Sequence, residues 1–194
     1  MSQVRLQVRD ISKNFGITKA LQHVSFDVNA GEVHALIGEN GSGKSTLTNM
    51  LTGIYPMETG SFILDGKEIH PLNQVDANNM GISIIVQELG TLSGLTVAEN
   101  IFLGHEDRFI KHGFRNTVAM NAEANRLLQE YGFTHIKAAT MVDDYNFEDR
   151  KLIEIVKATY FHPKIVVIDE TTTALSQEGR EELYKQMERL KAEG

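Results

Sequence analysis

The sequence predicts an α/β fold. Three observations carry the prediction. Two short continuous apolar runs, Gly81–Val86 and Lys164–Ile168, are of the kind buried on both faces of a sheet. A strand, a glycine-rich loop and a helix follow one another over Glu32–Thr52, and between about residues 90 and 160 the apolar residues fall at helical spacing. The 194 residues have the length of one compact domain, 41% apolar and 23% charged. With 16 Gly and 3 Pro, collagen-like and low-complexity organisations are excluded.

In chain order, Val4–Val8 and Val24–Val28 alternate apolar and polar, as half-buried strands do. After the turn Asn29-Ala30-Gly31, a third strand is expected over Glu32–Ile37, then the loop, then a helix over Lys44–Thr52. Ser61–Gly66 reads as a further strand and turn, and Gly81–Val86 as a buried strand. Met120, Ala124, Leu127, Leu128 and Tyr131 form one helical stripe; Leu152, Ile155, Val156 and Thr159 form a second. Lys164–Ile168 is the second buried strand, and Leu183, Met187 and Leu190 line a last helix. The final Gly194 reads as a C-terminal cap, and since an α/β unit would continue into another strand, the sequence is expected to stop short of a whole domain.

Composition narrows the chemistry. Cys is absent, which rules out disulfides, thiolate zinc sites and cysteine nucleophiles, and fits a reducing compartment. The net charge is −7 with no Lys/Arg run, so nucleic acid is not an expected partner. No apolar run approaches the ~20 residues that span a bilayer, and the N-terminus has no apolar signal region. A cytoplasmic location is expected. The seven histidines are scattered, as surface or internally satisfied residues are.

Gly38-Glu39-Asn40-Gly41-Ser42-Gly43-Lys44-Ser45 fits the pattern G-x-x-x-x-G-K-[ST] in its required context, after a strand and opening a helix. Glycines let successive backbone N–H groups turn toward one anion. The helix start adds its positive end. Lys44 supplies a point charge for the β- and γ-phosphates, and the Ser45 hydroxyl can ligate Mg²⁺; the Glu39 carboxylate is expected to point away. At the other buried strand, Ile165–Ile168 runs into Asp169 and Glu170. Ligands of open α/β sheets sit at strand carboxyl ends, so Asp169 can hold Mg²⁺ through water and Glu170 can polarise an attacking water.

These residues resemble the nucleotide-binding subunits of ABC transporters over essentially the whole chain. The resemblance implies an ABC ATPase version of the P-loop NTPase fold, with an N-terminal antiparallel β subdomain and a helical subdomain insert. The ATP-binding core would be 1–89 and 160–194, the insert 90–159. Gly38–Thr46 resembles the family's Walker A loop, including Thr46, and Asp169 and Glu170 its Walker B aspartate and catalytic glutamate. Phe15 matches the aromatic that stacks on adenine. Gln87 is similar to the Q-loop glutamine, a Mg²⁺ ligand that senses the transmembrane partner, and Thr173–Ser176 resembles the D-loop. Gly31–Gly41 and Thr96–Gly104 are closer still to the monosaccharide-import branch, in which two ATPase halves share one polypeptide. That implies ATP and Mg²⁺ as ligands. The implied partners are transmembrane permease subunits, a second nucleotide-binding half and, indirectly, a solute-binding protein, at the cytoplasmic face of the membrane.

The sequence departs from the family at its signature. L-S-V-G-Q is replaced by Tyr145-Asn146-Phe147-Glu148-Asp149, so Asn146 stands for serine and Glu148 for glycine. In the family this helix N-terminus closes on the γ-phosphate held by the opposite half. Here Asn146 is an expected N-cap, with Asp149 at the capping-box position, and Glu148 adds a carboxylate. One like charge at ~4 Å costs on the order of 4 kcal/mol at an effective dielectric near 20, so the segment should oppose a phosphate. Thr171 replaces a usual proline, and the family's switch histidine would lie past Gly194. Three functions compete: an ATPase powering sugar uptake, an ATP-binding regulatory half with little hydrolysis, and an ABC-type ATPase acting on DNA or ribosomes. Acidic balance and sugar-branch wording oppose the third.

Overall fold

β1 (Val4–Phe15) and β2 (Thr18–Asn29) form a long antiparallel hairpin, extending both expected strands to 12 residues. A bulge sets which residues face inward. Asp10 (φ 52°) and His23 (φ 50°) adopt left-handed conformations, and the register shifts between Val8 and Ile11. The buried positions of β1 are therefore Leu6, Val8, Ile11 and Lys13. Hydroxyls meet the freed amides: Ser25 Oγ accepts from Asp10 N–H, and Ser12 Oγ from His23 N–H. β3 (Thr59–Leu64) and β4 (Lys67–Ile69) complete a sheet of order β2-β1-β3-β4, antiparallel at each pairing.

The computed structural model describes residues 3–86, 90–111, 113–169 and 175–194. The chain divides into two units, one of residues 1–84, 163–169 and 181–194 and one of residues 85–162 and 170–180. In the first unit, α1 (Lys44–Leu51) and α2 (Gln74–Met80) accompany the sheet. Leu47, Met50, Phe62, Ala77 and Ile82 join the inward residues of β1 in one core, where a side chain such as Phe62 contributes roughly 2–3 kcal/mol by leaving water. β5 (Ile82–Ile85) pairs with β8 (Ile165–Ile168), and the two start side by side because the N–H groups of Lys164 and Ile165 both donate to Gly81 O. β8 is half-buried rather than buried on both faces, since β5 is its one strand neighbour among the described residues.

The expected strand over Glu32–Ile37 is not formed. The segment pairs with no strand among the described residues, and Ile37 is 93% exposed. Its apolar pattern suits a sheet, but a strand exists only where a neighbour takes up its N–H and C=O groups.

The second unit is helical, with α3 (Val97–Ile101), α4 (Thr117–Glu130) and α5 (Phe147–Thr159). The α4 stripe is buried as predicted, and Tyr131 O–H donates to Thr159 Oγ1 at 2.6 Å. In α5, Leu152 is half-buried, whereas Ile153, Ile155, Val156 and the charged Lys151 and Glu154 are buried. A two-residue hairpin, β6 (Ile110–Lys111) and β7 (Phe114–Arg115), interrupts the expected helical stretch. α6 (Gln177–Glu193) closes the described chain, with Leu183 buried and Met187 and Leu190 half-buried.

Candidate functional site

The loop that opens α1 has the geometry an anion requires. Gly41 (φ 82°) and Gly43 (φ 94°) are left-handed, which only glycine adopts freely. A Cβ on Gly43 would lie 2.5 Å from Ala20 O and 2.7 Å from Leu21 Cδ2, so the loop packs directly on β2. A Cβ on Gly38 would meet Ser42 Oγ at 2.5 Å. Lys44 Nζ donates to Gly38 O (2.9 Å) and Glu39 O (3.0 Å), holding the ammonium over the loop.

The N-terminus of α1 stands apart from those of α2, α3, α4 and α5. Asn73, Thr96, Asn116 and Asn146 each cap the helix they precede, and Thr96 makes a full capping box with Glu99. Gly43 offers α1 no side-chain cap, and the first turn carries no acid. No side-chain cap and no carboxylate of the first turn therefore competes with an external anion for the positive end of this helix.

Ser45 and Asp169 are 124 residues apart in sequence, yet Ser45 Oγ donates to Asp169 Oδ1 at 3.5 Å. Both side chains belong to the first unit. Among the described residues no group of three or more His, Asp or Glu side chains could hold a metal. A hydroxyl and a carboxylate meeting beside a phosphate loop suit Mg²⁺, which usually takes one or two carboxylates and completes its shell with phosphate and water oxygens. Glu170, Thr171, Thr173, Ala174 and Gln87 lie outside the described residues.

Phe15 is 45% exposed at the end of β1 and meets Tyr55 edge-on, with centroids 5.3 Å apart and planes at 73°. Sequence reasoning missed its surroundings. Lys13 is 5% exposed, with Nζ 5.4 Å from the Phe15 centroid. Strict alternation from Leu6 and Val8 would turn Lys13 outward, and the bulge at Asp10 reverses that, so the sequence carries no local signal for the buried lysine.

A family description, ABC transporter, matches residues 21–173. The chain belongs to the ABC transporter family. Relatives include the ribose import ATP-binding protein RbsA of Bacillus cereus, 40% identical over 98% of this chain and 38% of that protein. A putative ribose/galactose/methyl galactoside import ATP-binding protein of Halalkalibacterium halodurans is 41% identical over 97% of this chain and 36% of that protein. The chain thus spans less than two-fifths of the length of these curated relatives. Among solved structures, MJ1267, an ATP-binding cassette of an ABC transporter, in its ADP conformation is 28% identical with a TM-score of 0.83, covering 100% of this chain and 79% of that one.

The stretch expected to stand for the family's signature, Tyr145–Asp149, leads into α5 with bonds of its own. Asn146 Oδ1 accepts Asp149 N–H at 2.8 Å, so the predicted cap is present. The Asp149 carboxylate meets His135 Nε2 at 2.7 Å, in place of the expected capping-box bond. Glu148 Oε1 accepts Ser176 N–H at 2.8 Å, and bonds from the Ser176 side chain and backbone hold its carboxyl below the ordinary range. No helix among the described residues is long and apolar enough to cross a membrane.

Proposed function

We propose that this chain is the first nucleotide-binding half of an ATPase that powers sugar import. The observation that carries the reading is the uncapped α1 N-terminus behind Gly41 and Gly43, with Lys44 over the loop and Ser45 meeting Asp169. The loop from Gly38 to Thr46, with Glu39, Asn40 and Ser42 contributing backbone, binds the phosphates. Lys44 neutralises charge on the β- and γ-phosphates. Ser45, Asp169 and, by resemblance, Gln87 hold Mg²⁺, which supplies charge neutralisation at the phosphate oxygens. Glu170 orients the water that attacks the γ-phosphorus, forming one P–O bond as the bond to the β-γ bridging oxygen breaks. Phe15 stacks on the adenine. The relatives named for ribose and galactose import support a monosaccharide as cargo. Transmembrane permease subunits and a second nucleotide-binding half are the partners, at the cytoplasmic face of the membrane.

Calorimetry of the full-length protein with Mg·ATP tests the reading. Binding is expected in the parent, with a loss of at least ten-fold in affinity for Lys44→Ala. No heat in the parent, or equal affinity in the variant, overturns it. The rebuilt signature adds a second expectation. Asn146 and Glu148 put acceptors where a γ-phosphate would approach, so the site completed by α5 hydrolyses slowly. Asn146→Ser together with Glu148→Gly should raise turnover, and equal turnover at both sites of the parent contradicts that assignment.

A further inference from the structure

Lys13 is a charge on the inward side of β1, and the phosphate chemistry leaves it without a task. Its ammonium donates to Pro56 O at 3.0 Å and to Glu58 Oε1 at 2.8 Å. Glu58 Oε2 in turn accepts Asn14 N–H at 3.0 Å. The bonds to Lys13 and Asn14 keep the Glu58 carboxyl below its ordinary range. Pro56 O and Glu58, the latter held in turn by Asn14 N–H, thus fix Nζ at 5.4 Å from the Phe15 centroid, within cation–π range, while Tyr55 takes the ring edge.

The same short segment is tied to the phosphate helix. The N–H groups of Ile54 and Tyr55 both donate to Asn49 O in α1, at 2.8 and 3.0 Å. On the other side, Phe15 pairs with Thr18, and Gly43 of the loop packs against Ala20, two residues or ~7 Å of strand further on. Phe15 is therefore referenced to the phosphate loop twice, through β2 and through residues 54–58.

We propose that Lys13 is a positioning residue for the base end of the nucleotide site: fixed by Pro56 and Glu58, its ammonium holds the Phe15 ring so that the exposed part of the ring receives a purine base at a set distance from the phosphate loop. The proposal rests on the reading of Phe15 given above. The cation also draws π-density toward itself, which favours stacking of an electron-rich base on the rest of the ring.

The test compares Mg·ATP with magnesium tripolyphosphate, which lacks base and ribose, as ligands of the full-length protein. Lys13→Met should weaken ATP roughly ten-fold and leave tripolyphosphate within about two-fold. Phe15→Ala should show the same selectivity, and the double variant should be no weaker than Phe15→Ala alone, because Lys13 acts through Phe15. Glu58→Gln keeps the shape but loosens the ammonium; it should weaken ATP roughly three-fold with the same selectivity, and gives the answer should Lys13→Met not fold. Equal weakening of both ligands, unchanged ATP affinity, or effects that multiply in the double variant overturns the proposal. A neutral Phe15→Ala removes the base platform itself, and a parent that binds neither ligand removes the nucleotide site, so each failure is recognisable.

Discussion

Asp65 illustrates how one side chain links distant parts of the first unit. Its carboxylate accepts from Arg5 Nη1 at 3.0 Å and from Lys164 Nζ at 2.5 Å, joining β1 and the start of β8 to the β3–β4 turn. The Lys164 bond, with Arg5 nearby, holds the carboxyl below its ordinary value of 3.8 against the opposing effect of burial. A depressed carboxyl pKa gives stability that is present above the unfolded value and lost as pH falls through the folded one. Asp65 also sits at φ 49°, a conformation asparagine accepts, so Asp65→Asn removes the charge without backbone strain. The variant should lose about 1 kcal/mol at pH 7, and its denaturant midpoint should converge with the parent's as pH drops below 3.8. A gap that persists at low pH would assign the loss to packing rather than charge. None of this triad was visible in the sequence, because Arg5, Asp65 and Lys164 are separated by 60 and 99 residues and no local pattern marks them as partners.

Elements were legible where periodicity runs long enough to be distinctive. The α4 stripe from Met120 to Tyr131 covers three turns and is buried at each predicted position. β6 and β7 have two residues each, too few for any period to register. β1 was read only to Val8 because the bulge at Asp10 breaks the alternation, and with it went the clue that Lys13 faces inward. The turn of Gly41 and Gly43 into α1 was legible because its pattern is local, although the strand expected before it is not formed, whereas the N-terminal end of α5 was legible only in part: Asn146 announces its cap, but the partners of Glu148 and Asp149 come from elsewhere in the fold. Two predictions belong to α5. Asn146→Ala should cost about 1 kcal/mol of stability, the usual worth of a side-chain cap. Glu154→Ala should cost more, about 3 kcal/mol, because buried Glu154 accepts Gly90 N–H and pairs with buried Lys151 at 3.0 Å. Chemical denaturation ranks the two variants, and the reverse order would show that the buried pair adds little.

At the scale of the whole molecule, the decisive feature is the segment Glu32–Glu39. It carries the residue types of an interior strand, yet Val33, Leu36 and Ile37 are exposed, and the segment leads directly into the phosphate loop. Its main-chain groups have no ladder among the described residues. An extended, apolar, unpaired stretch is a template for pairing with another chain. The 194-residue chain on its own should therefore self-associate as its concentration rises, and should bind a hydrophobic dye while keeping its circular dichroism. Ile37→Lys places a charge at the most exposed of these apolar positions, the device by which edge strands are protected. The variant should scatter less light and bind less dye, with an unchanged thermal midpoint, because a side chain already 93% exposed contributes little to the core. A monodisperse parent at high concentration, or a variant that associates as strongly, would show that this segment is covered in solution. The same reasoning places a condition on the site. This unpaired segment is the stalk on which Gly38 and the loop are carried, so a partner that pairs with Val33–Ile37 should also raise nucleotide affinity, by lowering the conformational entropy the loop gives up on binding.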